Sequence, residues 1–321
     1  MAAGAQDVVL VPAARAFVDA AVRRRRPHET GPHLGRAVFD TVQNDQCAIP
    51  IVERWVTVAT DPGGPLAVRV VTAPGDPCLR PVVMYIHGGG WVFGNAGTHD
   101  RLVRELAVRT GAAVVFPEYA LSPRAGYPVA LEQVYATTRW AATEGRELGL
   151  DGSRLAVVGD CVGGNLAIAL TLLSRCRADF AVLALAALCP VTDAAFDTES
   201  YCMFGEGYAL NRDTMRWCWD QYTADPDLRG DITVSPRRAT MTDLAGFPPS
   251  LIITAEADVV RDEGEAFAAQ LRAAGAPTVA VRYDGVIHNF AVLNALKDTL
   301  AARAATAQTA ALLSNALMAG S

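Results

Sequence analysis

The sequence predicts an α/β protein: one mostly parallel sheet of about eight strands, with helices on both faces. Three observations carry that expectation. Short β-branched runs alternate with stretches of helical pattern over most of the chain, as in successive strand–helix–strand crossovers. The run Pro81-Val-Val-Met-Tyr-Ile86 is apolar almost throughout, as a strand covered on both faces must be. The chain has 321 residues, 51% hydrophobic and 19% charged, enough for a sizeable core in one large domain or two small ones.

Residues 1–45 read as helical and precede the first strand. Their basic run, Arg23 to Arg26, is expected to be a solvated helix end and not a binding site. Strands are expected at Arg54–Thr60 and Leu66–Thr72. The linker between them, Asp61-Pro-Gly-Gly-Pro65, has the glycines that a hairpin turn with positive φ requires, so this pair adds antiparallel strands at one edge. Further strands follow at Val82–Ile86, Ala113–Phe116, Leu155–Gly159, Ala181–Leu188, Ser250–Thr254 and Val279–Tyr283. Helices separate or follow them at residues 98–110, 128–146, 162–176, 262–274 and 290–316.

Residues 190–235 break the alternation and are rich in aromatics: Phe196, Tyr201, Phe204, Tyr208, Trp217, Trp219 and Tyr222. Such an insert either packs over the sheet edge or forms a lid on a substrate cleft. The lid is the favoured reading, because both irregular stretches flank the strand ends where α/β sites form. The expected organisation is a helical cap segment at 1–45, a core at 46–189 and 236–321, and a cap insert at 190–235.

Composition excludes several functions. With 28 basic and 34 acidic residues the net charge is −6, which argues against a nucleic-acid-binding surface. The longest apolar run, Phe180–Val191, contains Pro190 and falls short of the roughly 20 residues that span a bilayer. Met1-Ala-Ala-Gly-Ala-Gln-Asp7 has neither the basic start nor the apolar stretch of a signal peptide. The seven cysteines, at 47, 78, 161, 176, 189, 202 and 218, form no Cys-x-x-Cys pair and are odd in number. They read as buried small hydrophobes in a reducing compartment, so a cytoplasmic location is expected.

Four motifs carry chemistry. His87-Gly88-Gly89-Gly90-Trp91 directly follows a strand, and its glycines let backbone N–H groups turn towards a ligand, where they can stabilise an oxyanion. Gly159-Asp160-Cys161-Val162-Gly163 joins a strand to a helix in the pattern of a nucleophile elbow. There the flanking glycines remove Cβ clashes, and the helix N-terminus favours thiolate at Cys161. Ala255-Glu256-Ala257-Asp258, with Asp262 beyond it, follows another strand; spacing alone does not choose among the three acids. Gly285-Val-Ile-His288-Asn-Phe290 lies in the loop after the final strand. Of the five histidines (28, 33, 87, 99 and 288), His288 alone lies in a strand-end loop after the acid.

Taken together and in this order, the motifs from about Val82 to Phe290 resemble the hormone-sensitive-lipase-like esterases of the α/β-hydrolase fold. Glu118-Tyr119-Ala-Leu-Ser-Pro123, Tyr127-Pro-Val-Ala130 and Pro190-Val-Thr-Asp193 strengthen the likeness. The resemblance implies Asp258 as triad acid, His288 as base, and Gly88, Gly89 and Val162 as oxyanion donors. It also implies a lid built from the N-terminal segment and the insert. Two positions depart: Arg124 replaces the acid that commonly follows Pro123, and, of more consequence, the family pattern has serine where this chain has Cys161, either as a native thiol variant or as a serine-to-cysteine replacement.

The expected activity is hydrolysis of a carboxylic ester through a Cys161–His288–Asp258 triad and a thioacyl-enzyme. Transacylation, cyclisation or elimination at the same site is the alternative, and a silent ligand-binding homologue is a third reading. No cofactor is expected, and no metal, because His-x-x-x-His and Cys-x-x-Cys spacings are absent. The expected partner is a small-molecule ester or acyl donor, with no nucleic acid and no membrane insertion; homodimerisation is left open.

Overall fold

A computed structural model describes residues 8–43, 47–75 and 79–319. The N-terminal heptapeptide and Cys78 lie outside them. Eight strands form one sheet: β1 (Val52–Thr60), β2 (Gly64–Thr72), β3 (Arg80–Ile86), β4 (Ala113–Pro117), β5 (Leu150–Asp160), β6 (Leu185–Leu188), β7 (Ser250–Ala257) and β8 (Thr278–Ile287). Their spatial order is β1-β2-β4-β3-β5-β6-β7-β8. β1 and β2 form the leading hairpin and β2 meets β4 antiparallel, while every pairing from β4 to β8 is parallel. The hairpin turn places Gly63 and Gly64 at φ 116° and 74°, values that a Cβ would strain. Val82 to Ile86 of β3 are wholly buried, as a strand between two helical layers requires.

Ten helices accompany the sheet: α1 (Pro12–Ala21), α2 (Pro27–Val42), α3 (Asp100–Thr110), α4 (Val129–Thr143), α5 (Val162–Arg177), α6 (Glu199–Met203), α7 (Arg212–Tyr222), α8 (Met241–Leu244), α9 (Arg261–Ala273) and α10 (Leu300–Met318). α3 packs against α10, and α4 against α5. Helix α2 breaks at Gly31, whose φ of 76° precedes Pro32, and its body packs on α7 of the insert. No helix among the described residues is long and apolar enough to cross a membrane.

Several elements differ from expectation: β5 begins at Leu150 and not Leu155, β8 runs past Tyr283 to Ile287, and two elements start late. The sixth strand begins at Leu185, not Ala181, where it pairs with Val157 on one side and Ser250 on the other. Upstream of Ser250 stand Pro248 and Pro249, which have no N–H to extend the ladder; Pro249 contributes only its carbonyl, to the Leu185 amide at 3.0 Å. The last helix begins at Leu300, not at 290. Asn289, at φ 57°, starts a turn whose carbonyl takes the Val292 and Leu293 amides, and Thr299 then caps α10 by accepting from Ala302 N.

Candidate active site

Cys161 sits between the last residue of β5 and the first of α5, with φ 53° and ψ −120°. A non-glycine residue in that region is strained, and here the surroundings hold it. Its N–H donates to Leu188 O (2.8 Å) and its carbonyl accepts from Val191 N (3.1 Å) and Asn165 N (3.2 Å). The bend is tight enough that a Cβ on Gly159 would run into the Gly163 backbone. A Cβ on Gly163 would in turn run into the backbone of Ile86 and His87, so each flanking position is glycine for its own close approach.

The acid and the histidine come from the ends of β7 and β8. The three acids that spacing left open have separate partners. Asp258 Oδ2 accepts from His288 Nδ1 at 2.7 Å. Glu256 accepts from Gly285 N, and Asp262 accepts from Ser200 N and from Arg261. Burial opposes charge on the His288 ring, but Asp258, Cys161 and hydrogen bonding outweigh it and hold the ring well above the ordinary imidazole range. No group meets Nε2 in full hydrogen-bonding geometry, although the Cys161 sulfur lies near enough to act on the ring's charge.

A second thiol reaches this pair. Cys189, which follows β6 at φ 46°, is buried beside Asp258, and its sulfur, the Asp258 carboxylate and a His288 nitrogen lie within 4.8 Å of one another. Burial and the neighbouring Asp258 charge push the Cys189 thiol well up, so it faces the carboxylate protonated. These three groups carry metal-ligand chemistry that motif spacing did not reveal. Asp258 and His288, however, are closer than the roughly 3.3 Å separating two ligands of one tetrahedral zinc, as fits a shared proton.

Asp160, the residue before Cys161, is wholly buried and is the hub that sequence reasoning missed. It accepts from Tyr85 Oη (2.8 Å), Gly88 N (3.1 Å) and Asn289 Nδ2 (2.9 Å), with His99 Nε2 at 3.5 Å. Burial works against its ionisation, but His99, Tyr85 and His87 prevail and keep it below the ordinary carboxylate range. The Gly88 N–H donates to Asp160, while Gly89 and Gly90 line the cavity. A signal was present, since an acid directly before the elbow residue, buried by the fold, must find donors nearby. His87 stacks on Tyr119 (4.2 Å between centroids), and burial lowers its pKa to about 3, leaving it neutral.

Cys161 and His288 open into a cavity of about 210 Å³. Its walls come from α1, α2 and the link between them, from the glycine loop, from α7 and from the turn after His288. Among the described residues, none of the seven insert aromatics lines it. Four of them, Tyr201, Phe204, Trp219 and Tyr222, are buried as packing. Trp91 stacks on Tyr222 at 4.1 Å and meets Trp219 edge-on at 4.8 Å, which ties the insert to the oxyanion loop. The insert instead offers the cavity Ala209, Leu210, Thr214, Met215 and Cys218. The basic run follows α1 with Arg23, Arg24 and Arg25 exposed, as a solvated helix end, and Arg24, Arg25 and Arg26 also border the cavity.

Residues 83–292 match the family model described as alpha/beta hydrolase fold. The chain is 34% identical to carboxylesterase NlhH of Mycobacterium tuberculosis over 81% of its length and 82% of the relative's. It is 35% identical to an ethyl acetate hydrolase of Pseudomonas putida over 73% of its length and 74% of the relative's. A crystal structure of an esterase rPPE mutant complexed with (S)-Ac-CPA superposes with a TM-score of 0.94 at 40% identity, covering 96% of this chain and 98% of that one.

Proposed function

Because this chain belongs to the α/β-hydrolase family and is an ester-bond hydrolase, we propose that it cleaves carboxylic esters through Cys161, His288 and Asp258. The observation that carries the proposal is the buried Asp258–His288 pair, 2.7 Å apart, whose histidine lines the same cavity as the elbow thiol. His288 Nε2 takes the Cys161 proton while Sγ bonds to the ester carbonyl carbon, and the carbonyl oxygen becomes an oxyanion. The N–H groups of Gly89, Gly90 and Val162 receive that charge, and Gly88 aligns the loop through Asp160. Collapse breaks the carbon–oxygen bond, and the imidazolium protonates the leaving alkoxide. A water then loses a proton to His288, attacks the thioester and expels the Cys161 thiolate, releasing the acid. Residues 8–43 and 190–235 act as the cap, since both supply cavity walls. The described cysteines are all free, which supports a reducing, cytoplasmic setting.

Intact-protein mass after mixing with a series of 4-nitrophenyl acyl esters tests this reading. It expects one acyl adduct, mapped to Cys161 and cleared by water. An adduct that maps elsewhere, or 4-nitrophenolate release undiminished by Cys161→Ala, overturns it. Addition of an amine or thiol acceptor tells hydrolysis from transfer, since transfer leaves little free acid.

A further inference from the structure

We infer that the esters this site prefers carry a carboxylate remote from the scissile carbonyl. The inference deepens the ester-hydrolase reading and rests on it. The cavity that holds Cys161 and His288 is bordered by Arg24, Arg25 and Arg26, and among its described lining residues there is no Asp or Glu. Three cations without an acid are unexpected at random in a chain of net charge −6. No ion pair among the described residues holds any of the three. Within the run, Arg26 Nη1 donates to Tyr208 O (3.1 Å), and Arg26 N donates to Glu29 of α2 (2.8 Å). Glu29 is exposed and does not line the cavity.

The bland account of this run is a helix end. α1 stops at Ala21, and cations past a helix C-terminus are favoured by its dipole. That account asks for a cation or two at the helix end, which Arg23, just past the C-cap Val22, answers from outside the cavity. It does not ask for three more over the mouth, the last anchored to the insert through Tyr208. Guanidinium groups on the rim of an apolar cleft focus potential into it, raise the local concentration of anions and offer a planar fork to a carboxylate. Size narrows the substrate further. A cavity of about 210 Å³ takes a short acyl or alcohol group beside Cys161, and a charge a few bonds away reaches the rim.

The test compares esters matched in shape and different in charge, on the full chain. Mono-4-nitrophenyl adipate against 4-nitrophenyl hexanoate places the charge on the acyl side; 4-acetoxybenzoate against 4-tolyl acetate places it on the alcohol side. At low ionic strength one charged member is expected to exceed its neutral partner in kcat/KM by about tenfold or more. The ratio should fall towards one in 0.5 M NaCl (an assay condition of roughly a few-ångström screening length) and in the Arg24→Gln/Arg25→Gln double variant. Using a ratio cancels any loss of folded enzyme. Ratios near one in both pairs overturn the inference while turnover of the neutral esters leaves the ester reading standing. A high ratio that the double variant retains also overturns it. If the wild-type chain is acylated by none of the four, the ester reading falls, and the inference falls with it.

Discussion

Asp258→Asn is isosteric and strikes the candidate triad at a residue only 1% exposed. The carboxylate accepts from His288 Nδ1 at 2.7 Å and from Val260 N at 3.2 Å. Loss of a charge-assisted bond of this kind removes about 1.5–3 kcal/mol, or on the order of 10–10² in rate if felt only in the transition state. An amide also offers its NH₂ to Nδ1, which favours the tautomer with the proton on Nε2, where the base must be empty. In a serine triad that change costs about 10⁴ in kcat. A free thiol is already roughly a few per cent ionised at pH 7, so a cysteine nucleophile depends less on the base. The expected loss is therefore about 10²–10³ in kcat, between those limits.

The pH profile gives the second readout. Burial disfavours the imidazolium, and Asp258 is the first of the groups that reverse this and raise its pKa. The charged ring is thus maintained below its raised pKa and lost as pH climbs through it. Without the carboxylate the pKa drops, so the acid limb, below which His288 is protonated and cannot act as base, moves to lower pH. Stopped-flow release of 4-nitrophenolate from 4-nitrophenyl hexanoate across pH measures both effects. Turnover within a few fold of wild type, together with abolition by Glu256→Gln, would refute the assignment of the acid.

Three further outcomes are expected. Cys161→Ser shortens the bond to the attacking atom and withdraws it from His288; at about 10² per Å of misplacement, turnover of an activated ester should fall roughly tenfold. A serine variant that is better at both hydrolysis and transfer to an added acceptor would show a pocket shaped for a hydroxyl. Asp160→Asn loses acceptor capacity among Tyr85, Gly88 and Asn289, so urea unfolding should report a loss of about 1–3 kcal/mol, with kcat lowered through the loosened glycine loop. An unchanged unfolding midpoint would contradict the hub role. Gly90→Ala puts a Cβ into Cys218 at a residue with φ 63°, and should cost about 1–2 kcal/mol of stability and most of the activity. Calorimetry alongside the esterase assay checks this, and wild-type behaviour in both would show the loop to be freer than its geometry implies.

Much of this protein is local in origin, and local information is what a sequence displays. Alternating runs set the sheet, since each buried strand must be apolar on its own; all eight strands were legible, with ends misplaced only where a neighbour decided them. Leu185 starts β6 because Pro248 and Pro249 deny the residues before it a ladder partner, a fact about another segment. The elbow at Cys161 and the loop at Gly88–Gly90 were legible because steric demands at these turns exclude most residues. Partners were not. Glu256, Asp258 and Asp262 are equal candidates along the chain, and only the ladder between β7 and β8 puts Asp258 opposite His288. Cys189 beside the acid, Asp160 holding Gly88, and Arg24–Arg26 over the cavity are likewise contacts between residues far apart in sequence. Periodicity reports whether a side chain must be buried; which charge, thiol or amide it meets there depends on how strands and helices close on one another, and that is decided by packing in three dimensions.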